Sequence, residues 1–312
     1  MKPLNVATKS GTVLNGVIFP APDSDTVVIA ITGVHGNFYS NPFYYTLGDT
    51  LSTAGIDFIY AQTRDAFGQM EIVNAKTGKT EVIGSWNEDL TKSDDDVGAW
   101  IDYAAQAGYK NIILAGHSLG ANKVIYYLSK HADPRVSKFI LLSPANIRHL
   151  TSQVSEKEKS LIAEFRESGR GQTLLPFDFI GWLPCVADTA WQWLYTDTLN
   201  NVHVEANGDF SQVEKIRHSG ALIIGTYDRF TYGNPCGFLC NINDHFPTPA
   251  DNALIFIDRT GHTYQQKEKE LAEAMLKLAS GWRTESTVRG ENDAIYYIPG
   301  KHPAFTRTGN GT

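Results

Sequence analysis

Ser118 stands at the centre of Gly116-His117-Ser118-Leu119-Gly120. A serine hydroxyl becomes a nucleophile when a base takes its proton and its oxygen projects clear of the backbone. A sharp turn between a strand and a helix makes it project. That turn is strained, so the residues two positions either side must be small, as Gly116 and Gly120 are. The apolar run 112–115 reads as the buried strand before the turn, and 121–130 as the helix after it. This context, more than the motif, makes Ser118 a candidate nucleophile.

Such a serine needs a base, an acid to orient the base, and donors for the oxyanion, each just past a strand's C-terminal end. The apolar run 253–257 leads into Asp258-Arg259-Thr260-Gly261-His262, which puts His262 in the loop before the final helix. The run 221–224 leads into Gly225-Thr226-Tyr227-Asp228, which puts Asp228 after its own strand. Asp244 and Asp258 are rivals, but Asp258 lies too close to its strand and Asp244 deep in a long loop. The order Ser118, Asp228, His262 follows. His117 points away from the Ser118 oxygen in such a turn and reads as a packing residue; His35 reads as shaping its loop. Arg64 and Asp65 follow another strand and face a pocket or form a loop ion pair. Cys236, Cys240, Asp244 and His245 suggest a metal, yet Cys-x3-Cys has no second ligand pair. A loop disulfide or two free thiols fits better, so neither metal nor cofactor is expected.

These residues need a scaffold. Loose alternation over 11–20 reads as one or two opening strands, and the β-branched run 26–32 as a central strand covered on both faces. A helix over 43–54, with Asn41 capping, Pro42 at its start and Gly55 closing it, precedes a strand at 56–61. A small hairpin around 76–79, a helix over 88–107, a strand at 136–143 and a long helix over 265–279 complete the pattern. Strands alternating with helices predict an α/β class with a mostly parallel central sheet and helices on both faces. Residues 147–219 interrupt the rhythm with a charged helix at 156–168 and an aromatic stretch containing Trp182, Trp191 and Trp193. They read as a helical lid inserted before the penultimate strand, with the core formed by 1–146 and 220–312. Trp182, Trp191, Trp193 and Phe38 are either pocket wall or packing.

The chain has 312 residues, of which 27 are Lys or Arg and 34 Asp or Glu, for a net charge of −7. An acidic balance argues against nucleic acid or an anionic membrane as partner. No apolar run reaches membrane-spanning length, and the first residues lack the apolar core of a secretory signal. The expectation is a cytoplasmic protein; monomer and homodimer both stay open. The tail from 284 is polar, with an apolar island at 294–298.

Over roughly residues 10 to 282 the chain resembles the α/β-hydrolase superfamily. The resemblance is carried by Gly116 to Gly120, by His35-Gly36-Asn37, by Asp228 and by Gly261-His262. In overall layout it is similar to an uncharacterised hydrolase group, some of whose fungal members cleave siderophore esters; no substrate is carried over from it. The resemblance implies an oxyanion held by the backbone N–H groups of Leu119 and Asn37. It implies a serine hydrolase cleaving a small-molecule carboxylic ester, with Ser118, His262 and Asp228 as the triad. The same triad serves lactone, thioester or amide hydrolysis and acyl transfer, and some proteins of this fold only bind small molecules.

Overall fold

The computed structural model describes residues 1–285 and 295–297. Its strands, in chain order, are β1 (Lys2–Ala7), β2 (Val13–Phe19), β3 (Thr26–Ile31), β4 (Asp57–Ala61), β5 (Met70–Val73), β6 (Thr80–Ile83), β7 (Asn111–His117), β8 (Val136–Leu142), β9 (Gly220–Gly225), β10 (Ala253–Ile257) and β11 (Ile295–Tyr297). The helices are α1 (Phe43–Thr53), α2 (Ser93–Gln106), α3 (Leu119–Lys130), α4 (Ile147–Thr151), α5 (Glu156–Glu167), α6 (Ala187–Tyr195), α7 (Pro235–Asp244) and α8 (Glu268–Glu285). Among the described residues the main sheet has nine strands, in the order β1-β2-β4-β3-β7-β8-β9-β10-β11. β2 pairs antiparallel with β1 and β4; every later pairing in this sheet is parallel. β5 and β6 form the separate hairpin expected near residue 78.

The central strands are apolar because helices cover both of their faces. In β3, Val27, Ile29 and Ile31 point to one core with Trp100 of α2, Val124 of α3 and Phe238 of α7. Val28 and Ala30 point to the other, with Leu47 of α1 and Met275 of α8. All of these side chains are essentially inaccessible to water, and each large one contributes about 1.5–3 kcal/mol on burial. This is the α/β-hydrolase fold.

Three elements differ from the sequence expectation. The chain opens with β1, whose exposed positions alternate with too few apolar ones to mark it. α2 starts at Ser93 and not at 88, because a tighter turn over Leu90–Lys92, capped by the Asp89 carboxylate on the Thr91 N–H, comes first. Asp94, Asp95 and Asp96 in the first turn then suit the positive end of the helix dipole. The tail island supplies β11, which adds a parallel edge strand beside β10. No described helix is long and apolar enough to cross a membrane.

Residues 147–219 leave the sheet after β8 and return at β9. They carry α4, α5 and α6, and Ile162, Phe179, Leu183 and Trp193 gather there into a third core that also receives Leu90 and Leu119. α5 begins with a reciprocal cap between Ser155 and Glu158. Asn122, buried on α3, ties the chain entering this segment to the stretch that follows α6. Its Nδ2 donates to the carbonyls of Ala145 (2.9 Å) and Leu199 (2.8 Å), and its Oδ1 accepts from the Ala145 N–H (2.9 Å).

Candidate active site

β7 ends at His117 and α3 begins at Leu119, so Ser118 occupies the turn alone. Its φ of 55° and ψ of −127° lie in a region that side chains rarely adopt, at a strain of about 1–3 kcal/mol. The flanking glycines make the turn possible. A Cβ on Gly116 would run into the Gly120 carbonyl, and one on Gly120 into the Ile31 carbonyl.

The Ser118 Oγ lies 2.8 Å from Nε2 of His262, and Nδ1 of His262 lies 2.9 Å from Oδ2 of Asp228. With the carboxylate accepting, Nδ1 carries the proton and Nε2 presents its lone pair to the hydroxyl. Burial alone would raise the pKa of Asp228. Hydrogen bonding and charge from His262, the Phe230 N–H and the Ser143 hydroxyl outweigh it and hold the carboxyl below its usual range. The rivals are engaged elsewhere: Asp258 pairs with Arg259 at 3.2 Å, and Asp244 closes α7.

His117 packs beside the relay and also fastens it. Its Nε2–H donates to the His262 carbonyl at 2.8 Å, and the two rings lie 5.0 Å apart. Burial, then the neighbouring His262, push the His117 pKa down to about 3, so its ring is neutral at physiological pH. The Phe230 ring also meets His262, in a T-shaped contact at 4.7 Å.

A cavity of about 580 Å³ opens on Ser118 and His262. Trp182, Trp193 and Leu150 of residues 147–219 contribute to its wall, as do Tyr227, Arg229 and Phe230 from the loop after β9. Of the four aromatic residues singled out in the sequence, Phe38 and Trp191 are not on this wall. Phe38 joins a cluster with Tyr45 (4.6 Å) and Tyr60 (5.3 Å). Trp191 packs at a tilt against Tyr195 at 4.2 Å beneath the Arg166 guanidinium. Asn41, expected only as a helix cap, and Gln265, expected as the start of the last helix but lying before α8, also face the cavity.

Asn37 is displaced from its expected place. Its N–H donates to Ser40 Oγ at 3.3 Å, and the residue does not line the cavity. Gly33 and Val34, directly after β3, do. Gly33 lies so near that a Cβ there would stand 2.9 Å from the Ser118 Cβ. His35 meets Trp182 edge-on at 5.7 Å and so joins this loop to residues 147–219.

Arg64 and Asp65 take the ion-pair alternative. Arg64 binds Asp96 with Nη2 at 2.6 Å, and Asp65 receives the fully buried Lys123 at 2.8 Å. Cys236 and Cys240 lie one turn apart on α7 and are not joined by a disulfide. His245 is committed elsewhere, stacked on Phe210 at 3.8 Å with its Nδ1 on the Asn241 carbonyl.

Residues 17–209 match the family model described as a protein of unknown function (DUF1749). The UPF0613 protein PB24D3.06c of Schizosaccharomyces pombe is 24% identical over 253 residues, covering 75% of this chain and 73% of its own length. Among solved structures, the α/β hydrolase GrgF from Penicillium sp. sh18 superimposes with a TM-score of 0.64 at 15% identity, covering 91% of this chain and 98% of its own. The esterase EaEST from Exiguobacterium antarcticum gives 0.58 at 15% identity, covering 90% and 100%. At such identities the likeness shows a shared fold.

Proposed function

The chain belongs to the DUF1749 family and folds as an α/β hydrolase, and we propose that it is a serine hydrolase cleaving carboxylic esters. One observation carries this reading: the continuous relay Ser118–His262–Asp228, with spacings of 2.8 and 2.9 Å, opening on a cavity. That an esterase is among the proteins sharing the fold fits an ester as substrate.

In this mechanism His262 Nε2 accepts the hydroxyl proton as Ser118 Oγ attacks the ester carbonyl. Asp228 fixes the imidazole tautomer and stabilises its cation. The tetrahedral oxyanion is held by two backbone N–H groups. Leu119 is the first residue of α3, where a helix leaves its N–H groups without internal acceptors. Val34 replaces Asn37 as the second donor, because Val34 lines the cavity while the Asn37 N–H is bonded to Ser40. Each such donor contributes about 3 kcal/mol to transition-state stabilisation. His262 returns its proton to the departing alcohol and leaves an acyl group on Ser118; water, activated by the same histidine, releases the acid. The reaction consumes only ester and water. Residues 147–219 act as a cap that sets which acyl groups enter, through Leu150, Trp182 and Trp193. Thioesters, lactones and amides pass through the same acyl-enzyme, and an added alcohol acceptor would separate transfer from hydrolysis.

Ser118→Ala should reduce turnover of an activated ester by at least about a thousandfold with the melting temperature preserved. Unchanged turnover in that variant refutes the reading.

A further inference from the structure

The charged lining of the cavity is one-sided. Among the described residues no Asp or Glu lines it, and its one permanently charged side chain is Arg229. Asp228 precedes Arg229 in the chain but does not neutralise it. Oδ2 of Asp228 receives His262 Nδ1–H, and Oδ1 receives the Phe230 N–H at 3.0 Å. No carboxylate among the described residues pairs with Arg229, whereas Arg64, Arg135, Arg166 and Arg259 each hold one. The Arg229 guanidinium instead lies 4.9 Å from the centre of the Phe230 ring, whose edge contact reaches His262. The same aromatic ring touches both the cation and the base, and steadies the guanidinium near the reacting centre.

A planar guanidinium with unclaimed donors matches a carboxylate or a phosphate in geometry and charge. The chain carries a net charge of −7, which disfavours anions at the surface in general and makes one unpaired cation in the cleft selective. Resting on the serine-esterase reading, we infer that the preferred substrates are esters with an anionic group several atoms from the scissile carbonyl, bound by Arg229. Half-esters of dicarboxylic acids and phosphate-bearing acyl esters share that chemistry.

The test compares 4-nitrophenyl half-esters of succinate, glutarate and adipate with their methyl-capped neutral counterparts. A 4-nitrophenyl ester with a terminal phosphonate forms a second arm that separates phosphate from carboxylate recognition. The quantity read is the ratio of kcat/KM, anionic over neutral. Charged hydrogen bonds from an exposed side chain predict a ratio about threefold to fivefold higher in the wild type than in Arg229→Gln, with Arg229→Lys between them and the difference carried in KM. Added salt should erode it. Equal ratios in wild type and Arg229→Gln overturn the anion site while turnover of the neutral esters leaves the esterase reading standing. If neither ester is cleaved, the esterase reading falls, and calorimetry with glutarate decides the anion site by itself. Binding to wild type and not to Arg229→Gln supports it, and equal or absent binding overturns it.

Discussion

Lys123→Met should expose how the floor of the site is held. The Lys123 ammonium, five residues beyond Ser118, is wholly buried and reaches Asp65 at 2.8 Å, Glu88 at 2.7 Å and Thr63 Oγ1 at 3.0 Å. The same network touches residues 147–219, since the Glu88 carbonyl accepts from Thr189 Oγ1 at 3.0 Å. Burial first, then the adjacent Asp65 charge, push Glu88 up to about 7 against the pull of Lys123. Removing one partner of a buried ion pair costs about 3–5 kcal/mol, because the other charge stays behind without compensation. The sign of the pH dependence follows from proton counting. Without Lys123 the folded state holds more protons on Glu88 than the wild type does, while the unfolded chains hold the same number there. The deficit must therefore grow as pH rises, by up to about 1.4 kcal/mol per pH unit for each extra proton held. Urea unfolding followed by tryptophan fluorescence at about pH 5.5 and about pH 8 measures it. Adding Asp65→Asn and Glu88→Gln to Lys123→Met should restore much of the loss. A deficit below about 1 kcal/mol, or one that does not change with pH, would refute this account of the network.

Asp228→Asn keeps the shape of the relay and removes the acceptor that fixes the His262 tautomer, so kcat should fall by about ten-thousandfold with little change in KM; a loss below about tenfold would remove Asp228 from the relay. His117, held near 3 in the folded protein against 6.5 unfolded, gives a stability slope of the opposite sign to that of Lys123→Met. Between those values only the unfolded chain binds the proton, so wild-type stability falls on acidification by about 1.4 kcal/mol per pH unit from this group. His117→Gln should flatten that part of the profile, and an unaltered slope would contradict the neutral ring. Gly33→Ala should lower kcat while preserving the fold, since its Cβ would press on the Ser118 Cβ at 2.9 Å; full activity in that variant would show the loop to be compliant.

What the sequence made legible has a physical reason. β3, β7, β8, β9 and β10 are covered on both faces over most of their length and therefore each contain a continuous apolar run. Because such strands end at the site, Ser118, Asp228 and His262 could be placed by counting from them. Asn37 lies in an irregular loop, where a motif does not say which N–H turns toward the serine. Trp191 and Trp193 are two positions apart on α6, close to opposite faces, so only packing decides that one enters the cavity. Lys123 looks like an ordinary helix-surface residue. Its partners Asp65 and Glu88 come from two remote segments, and nothing local announces their meeting. β1 carries mostly exposed side chains along the sheet's antiparallel edge and so lacks an apolar signature.

The central claim is that Ser118 is activated by His262. Incubation of the intact protein with a fluorophosphonate, followed by peptide mass mapping, tests it most directly. The account predicts one adduct, on Ser118, formed far more slowly in His262→Gln and absent in Ser118→Ala. Labelling elsewhere, or labelling of Ser118 at the same rate without His262, would contradict it.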